Sequence, residues 1–466
     1  MSLSCCCPSP SSIDGNDTRN AREYAFFSDL KSSDDSPTLQ LVQTLPRPSH
    51  RSSLLNIIVG GIRSVTFRFQ GSVSMARHVT KILSTPPPLG VRITSQKIEC
   101  IPDLFEGSSH TDPRLAQLIA NHSPCPIRAY WLDPRPLVSF GHSRTSDASV
   151  GRVTLYFHGG AYFLLSPRSH QFLTGKLAKL TRSRVIAIDY SLAPERPFPC
   201  ALRDAISAYR FLIDPPPGAT HPRYDPKNIV FAGDSAGGGL AIAAALWLRD
   251  DERWPLPGGL VLDLTHSMPS FDNNARFDML PDFGASLESQ GQRHFYTTND
   301  LLDHPYVSPL FATKIPAKPL PPTLITVGSA ERLRDEGIKF WSKFKGRCLS
   351  DDRLHAPHQV VIDPEKNMSD VGSESDAEDV RIEVYQDMPH VFQMFPFERL
   401  ARMSVCRISE FITAVQGTDT GSSKVDPSSP GAPGSKASSP DGSNARVGGS
   451  RRNRITFIRH NGDVVV

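Results

Sequence analysis

Near-continuous runs of β-branched and apolar residues recur along the middle of this chain, separated by longer segments whose apolar positions fall three and four apart. Residues 152–157, 184–189, 228–232, 259–264 and 322–327 are runs of this kind and read as strands covered on both faces, and 381–385 reads as a further strand with Arg381 and Glu383 among its apolar residues. Two further strand-like runs, 91–101 and 127–132, precede them. Helical spacing marks 201–213, 333–345 and 398–415, the last with Leu400, Met403, Ile408, Phe411 and Ile412 as its apolar positions. Strand and helix in alternation predict an α/β domain, with a mostly parallel central sheet, crossover helices on both faces, and 381–385 as the closing strand.

Outside that alternation the pattern changes. From 54 to 84, Ile62, Val65, Phe69, Val73, Val79 and Ile82 recur at helix-like intervals before the stop at Pro86-Pro87-Pro88, which predicts one or two amphipathic helices. Residues 54–90 therefore form an N-terminal helical cap segment ahead of a domain spanning 91–416. Residues 1–53 are rich in Ser, Pro, Asp and Asn without periodicity and are expected to be disordered. The stretch 350–379 holds Ser373-Glu374-Ser375-Asp376 and Glu378-Asp379, an acidic insert that cannot bury a core and suits phosphorylation. Residues 417–466 are assigned as a disordered C-terminal tail. Within it, two apolar runs around Asn461-Gly462 match a hairpin with a type I′ turn, but a lone hairpin is marginal in water.

Composition narrows the classes. The 466 residues are 39% hydrophobic with 41 prolines, which fits one globular core carrying much irregular chain. A formal net charge of +3 is small for this length and argues for no particular partner, and nucleic acid is not expected as one; Arg451-Arg452-Asn453-Arg454 is read as a solvated charge run, with nuclear import or weak nucleic-acid contact as the minor alternative. Eight cysteines without C-x-x-C pairs predict a reduced chain with no structural zinc. No basic and apolar leader opens the sequence, and no window reaches the roughly 18 apolar residues of a membrane span. The expected location is cytoplasmic. Cys5-Cys6-Cys7 allows two readings, acylation with membrane or lipid-droplet contact, or an unmodified thiol cluster.

Chemistry enters at Gly233-Asp234-Ser235-Ala236-Gly237. A buried strand precedes it and an apolar helix pattern follows, the context in which G-x-S-x-G forms a sharp turn presenting a serine nucleophile. Upstream, just after the strand ending at Phe157, His158-Gly159-Gly160 leaves backbone N–H groups uncovered, as a developing oxyanion requires.

Together with Asp189-Tyr190-Ser191-Leu192-Ala193-Pro194-Glu195 and Pro197-Phe198-Pro199, these motifs resemble the hormone-sensitive lipase family of α/β hydrolases over roughly residues 90 to 415. The resemblance implies the α/β-hydrolase fold and a catalytic set of Ser235, Glu331 and His390. Glu331 stands just ahead of Leu333-Arg334-Asp335-Glu336-Gly337, where the family most often has Asp, and His390 lies in Asp387-Met388-Pro389-His390-Val391-Phe392. It also implies an oxyanion hole from the amides of Gly159, Gly160 and Ala236. His158 and Asp234 take supporting places, His158 bracing the loop by hydrogen bonds rather than moving protons. Asp335 and Glu336 are expected to face solvent or to favour the helix N-terminus electrostatically. Asp263 is the alternative acid.

The implied activity is hydrolysis of uncharged, hydrophobic carboxylic esters with no metal or organic cofactor. The alternatives are a sterol or lipid deacetylase of the same family, or a non-catalytic ligand-binding receptor on the same fold; the receptor lineage lacks the histidine that His390 supplies. One departure stands out. After 260–262 the family usually carries several more residues, which predicts a shortened central strand with lost ladder bonds.

Overall fold

The computed structural model describes residues 51–68, 73–81, 85–106, 112–135, 151–263, 295–313, 318–331, 333–345, 379–416, 455–461 and 463–465. Most of the 1–53 tail, the acidic insert, residues 417–454 with their basic cluster, and the cysteine cluster lie outside these residues. All described residues belong to the compact unit Arg47–Val466.

In the described residues, one ten-stranded sheet has the order β1-β2-β4-β3-β5-β6-β7-β8-β9-β10. Its strands are β1 (Val91–Ile98), β2 (Ile127–Pro134), β3 (Val153–Phe157), β4 (Arg184–Asp189), β5 (Ile229–Asp234), β6 (Gly259–Asp263), β7 (Thr323–Gly328), β8 (Val380–Tyr385), β9 (Ile455–Ile458) and β10 (Val464–Val465). β2 runs antiparallel to both β1 and β4, and the strands from β4 through β3 and β5 to β9 are parallel. The mostly parallel α/β sheet expected from the sequence is therefore present.

Side-chain alternation explains why both faces are covered. Leu155, Phe157, Ile186, Phe231, Leu262 and Ile325 join one core with helices α5 (Cys200–Ile213), α6 (Ala236–Asp251) and α7 (Arg334–Lys345). Tyr156, Val185, Val230, Ala232, Val261 and Leu324 join a second with α4 (Gln171–Thr181) and α8 (Arg399–Val415). A short α3 (Pro113–Ala120) packs on the first core through Leu115 and Ile119.

Two expectations need correction. β6 is not deficient over its described length: its five residues are buried, and it pairs from Val230↔Gly259 to Asp234↔Asp263 with β5 and from Leu260↔Thr323 to Asp263↔Thr326 with β7. It is as long as β3, so a strand of this length suffices to carry both ladders. Residues 264–294, which follow it, lie outside the described residues. The second correction concerns 455–465, which were assigned to a disordered tail. The hairpin forms, with Val464↔Ile458 paired, and β9 adds to the open edge of β8 from Ile382↔Ile455 to Tyr385↔Ile458. Burial of Ile455 and Ile458 supplies the apolar contact that a hairpin alone lacks. The sheet thus closes on the hairpin and not on β8.

The segment 54–90 holds two helices, α1 (Ser53–Arg68) and α2 (Val73–Lys81). Leu55 and Val59 of α1 pack with Tyr385, Met388 and Phe392, beside the loop that follows β8. Val73 and Ala76 of α2 pack instead on Phe163, Leu164 and Leu165, beside the loop that follows β3. No described helix is long and apolar enough to cross a membrane.

Candidate active site

The parallel strands end on one edge, and the loops leaving β3, β5, β7 and β8 converge there. At the tip of β5, Ser235 has φ 53° and ψ −124°, a conformation that costs a residue with a Cβ of order 1–3 kcal/mol and persists only where its surroundings enforce it. Here they do. The Ser235 amide donates to the Asp263 carbonyl at 2.7 Å, and the serine stands at the N-cap position of α6 with its side chain making no capping bond. A Cβ at Gly237 would lie 2.0 Å from the Phe157 carbonyl oxygen, so only glycine lets α6 start this close to β3.

His390 sits in the loop after β8, and its Nε2 is 2.8 Å from Ser235 Oγ. Glu331, just past β7, is fully buried, with Oε2 3.6 Å from His390 Nδ1. That is ion-pair distance and longer than a hydrogen bond; such contacts often tighten only when substrate is bound. The two loops are stitched together by Ser329 N–H to Tyr385 O (2.8 Å), Ala330 N–H to Met388 O (3.1 Å) and Asp387 N–H to Ser329 Oγ (2.8 Å). The three residues expected as nucleophile, base and acid are therefore brought together. Glu336, expected to face solvent or the helix N-terminus, is buried in the first turn of α7.

Asp263, the alternative acid, lies elsewhere. Its Oδ1 accepts from Thr326 Oγ1 of β7 at 3.1 Å. Burial, reinforced by the nearby Asp234 charge, pushes its carboxyl well above the usual carboxylate range, which disfavours its charged form.

The glycine loop departs from expectation at one amide. Gly159 N–H donates to Asp234 Oδ1 at 3.0 Å, so that donor is turned toward the elbow's own carboxylate. The cause is a buried network around Asp234, whose Oδ1 also accepts from Tyr156 Oη (2.6 Å) and whose Oδ2 lies 3.1 Å from His170 Nε2. Burial alone would raise the Asp234 pKa, but the His170 charge and these hydrogen bonds outweigh it and hold the carboxyl below its usual range. The same pairing overcomes the effect of burial on His170 and raises its pKa. Tyr156 and His170 were not singled out from the sequence, because 14 and 65 positions separate them from each other and from Ser235 respectively (170 − 156; 235 − 170).

Gly160 follows with φ +119°, and a Cβ there would meet the Leu164 carbonyl oxygen at 2.2 Å, so the turn after it needs glycine. Gly160 and Ala161 are half-buried, at the rim of the site. His158 is fully buried; its Nδ1 lies 2.7 Å from the Gly159 carbonyl oxygen and its ring stacks on Tyr190 with centroids 4.4 Å apart. Burial and the His170 charge push its pKa down to about 3, so it is neutral and suits bracing rather than proton transfer.

A family model described as alpha/beta hydrolase fold matches residues 154–352. An acetyl-hydrolase of Streptomyces hygroscopicus is 34% identical over 260 residues, covering 52% of this chain and 81% of that protein. An esterase of Acinetobacter venetianus is 36% identical over 208 residues, covering 44% and 64% respectively. The crystal structure of an esterase from the bacterial hormone-sensitive lipase family superposes with a TM-score of 0.57 at 26% identity, over 79% of this chain and 99% of that one. The chain belongs to the hormone-sensitive-lipase-like family of α/β hydrolases, and its class is that of the carboxylic ester hydrolases.

Proposed function

We propose that Ser235, His390 and Glu331 form a catalytic triad that hydrolyses small, uncharged, hydrophobic carboxylic esters. The observation that carries this reading is the 2.8 Å contact between His390 Nε2 and Ser235 Oγ at the mouth of a strained turn. Ser235 Oγ attacks the ester carbonyl carbon as its proton passes to His390 Nε2. The carbonyl oxygen becomes an oxyanion held by backbone amides. Because Gly159 N–H is engaged by Asp234, the donors in this reading are Gly160, Ala161 and Ala236. Collapse of the intermediate breaks the bond to the alcohol oxygen, which takes the proton from His390. Water then attacks the acyl-serine, gives its proton to His390, and releases the acid while Ser235 regains the proton.

Glu331 faces the other imidazole nitrogen and balances the positive charge that His390 acquires in each half-reaction. Phe163, Leu164 and Leu165, beside the glycine loop, pack against Val73 and Ala76 of α2, which supports α2 as a cap segment over an apolar side of the site. The acetyl-hydrolase among the relatives favours a short acyl group, including acetyl esters of lipophilic alcohols.

Ser235→Ala is expected to abolish hydrolysis of p-nitrophenyl acetate and butyrate and covalent labelling by a fluorophosphonate probe. A folded wild-type chain that neither turns over these esters nor takes the probe would be a ligand-binding member of the fold, and retained turnover in Ser235→Ala would exclude Ser235 as the nucleophile.

A further inference from the structure

The acid and base loops are tied to each other by one side chain from far upstream. Arg51, at the foot of α1 and outside the residues matched by the family model, is buried. Its Nη2 donates to the Ala330 carbonyl at 3.3 Å, immediately before Glu331, and its Nε donates to the Asp387 carbonyl, three positions before His390. The residue is itself well seated. Ser52 Oγ donates to the Glu398 carboxylate and accepts from the Leu55 amide at 3.1 Å, while Leu55 and Val59 pack on Met388 and Phe392 of the base's own loop.

We propose that Arg51 is a positioning residue for the Glu331–His390 pair, its guanidinium holding the backbone on which each side chain is mounted. The inference rests on the roles given to Glu331 and His390 above. A planar fork with separated donors can reach carbonyls of two different loops at once, which a lysine ammonium, a single point of charge, cannot reproduce. The Ser329 and Ala330 bonds to the base loop align the two strand ends, but they bind neither the Ala330 nor the Asp387 carbonyl. With Glu331 Oε2 already 3.6 Å from His390 Nδ1, drift of either loop would separate acid from base.

The test uses the full chain with Arg51→Met and Arg51→Lys, each checked for folding by circular dichroism and thermal melting. Arg51→Met is expected to lower kcat on p-nitrophenyl acetate by about 10- to 100-fold, the scale of small misplacements of catalytic groups, with KM within about twofold. The acid limb of its kcat/KM profile should move to lower pH, because a carboxylate held less well stabilises the imidazolium less. Arg51→Lys, which keeps one donor, should recover part of kcat, and it carries the test alone if Arg51→Met does not fold. A purely structural role predicts a lower melting temperature with kcat, KM and the acid limb unchanged, and that result would overturn the proposal. An active wild type whose Arg51 variants match it overturns only this inference, whereas an inactive wild type overturns the triad reading with it.

Discussion

Three carboxylates crowd the ends of adjacent strands, and their surroundings give them different work. Asp234 is charged and spent on Tyr156, Gly159 and His170, so it fixes the glycine loop to the elbow. Burial and the Asp234 charge raise the Asp263 pKa well above the usual range, which makes its carboxyl a poor counter-charge for an imidazolium. Glu331 alone of the three lies within ion-pair distance of His390. Glu331→Gln is therefore expected to lower kcat on the order of 10³-fold, because an amide offers no charge to the imidazolium. Asp263→Asn removes a carboxyl whose charged form burial already disfavours, keeps its shape, and should stay within about threefold of wild type. Steady-state kinetics on the two variants decides between the acids, and the reverse ranking would move the role to Asp263.

The elements around the site owe their places to a few buried contacts. β6 carries Asp263, whose carbonyl holds the Ser235 amide, so a ladder on each side of this five-residue strand bears directly on the placement of Ser235. α2 is attached differently, because its apolar contact is small and one arginine supplies the rest. Arg77 donates to the Phe163 carbonyl at 2.7 Å and the Ala193 carbonyl at 2.5 Å, and makes a two-point contact with Glu195 at 2.7 and 2.9 Å. The Glu195 pair is largely exposed and contributes little, so the two carbonyl bonds set the strength of docking. Loss of those bonds in Arg77→Met should speed amide hydrogen exchange in α2 on the order of 10²-fold, with exchange in β5 and α6 unchanged. Equal rates in wild type and variant would show that α2 is held by its apolar face alone.

At the scale of the whole molecule, segments from both ends of the described chain meet at the loop bearing His390. α1 packs on it from one side, and β9 follows β8 into it from another, with Ile458 in the same cluster as Leu55, Val59 and Met388. Truncation before residue 455 would uncover the edge of β8 and remove two buried isoleucines, each contributing roughly 1.5–3 kcal/mol. The expected result is a melting temperature lower by about 5–10 °C and a greater tendency to associate through the open edge. Differential scanning fluorimetry and light scattering on the truncated chain read both, and an unchanged melting temperature would show that β9 adds no stability.

What the sequence determined by itself was whatever depends on neighbours along the chain. Near-continuous apolar runs become β3 to β7 because a strand covered on both faces has no polar position to alternate with. The elbow and the His158-Gly159-Gly160 loop were legible because a sharp turn and a close backbone approach demand glycine locally. The resemblance of short motifs then pointed to Glu331 and His390; in the fold His390 Nε2 lies 2.8 Å from Ser235 Oγ and Glu331 Oε2 lies 3.6 Å from His390 Nδ1. The tertiary structure alone decided which amide of the glycine loop is engaged, since that depends on Asp234 meeting Tyr156 and His170 from separate segments. It decided likewise that 455–458 is a strand, because a run too weak to form a stable hairpin alone becomes stable on the unpaired edge of β8. It placed Arg51 on two loops roughly 280 and 340 residues away for the same physical reason: a buried carbonyl takes whichever donor the packed chain brings to it, and no local pattern encodes that choice.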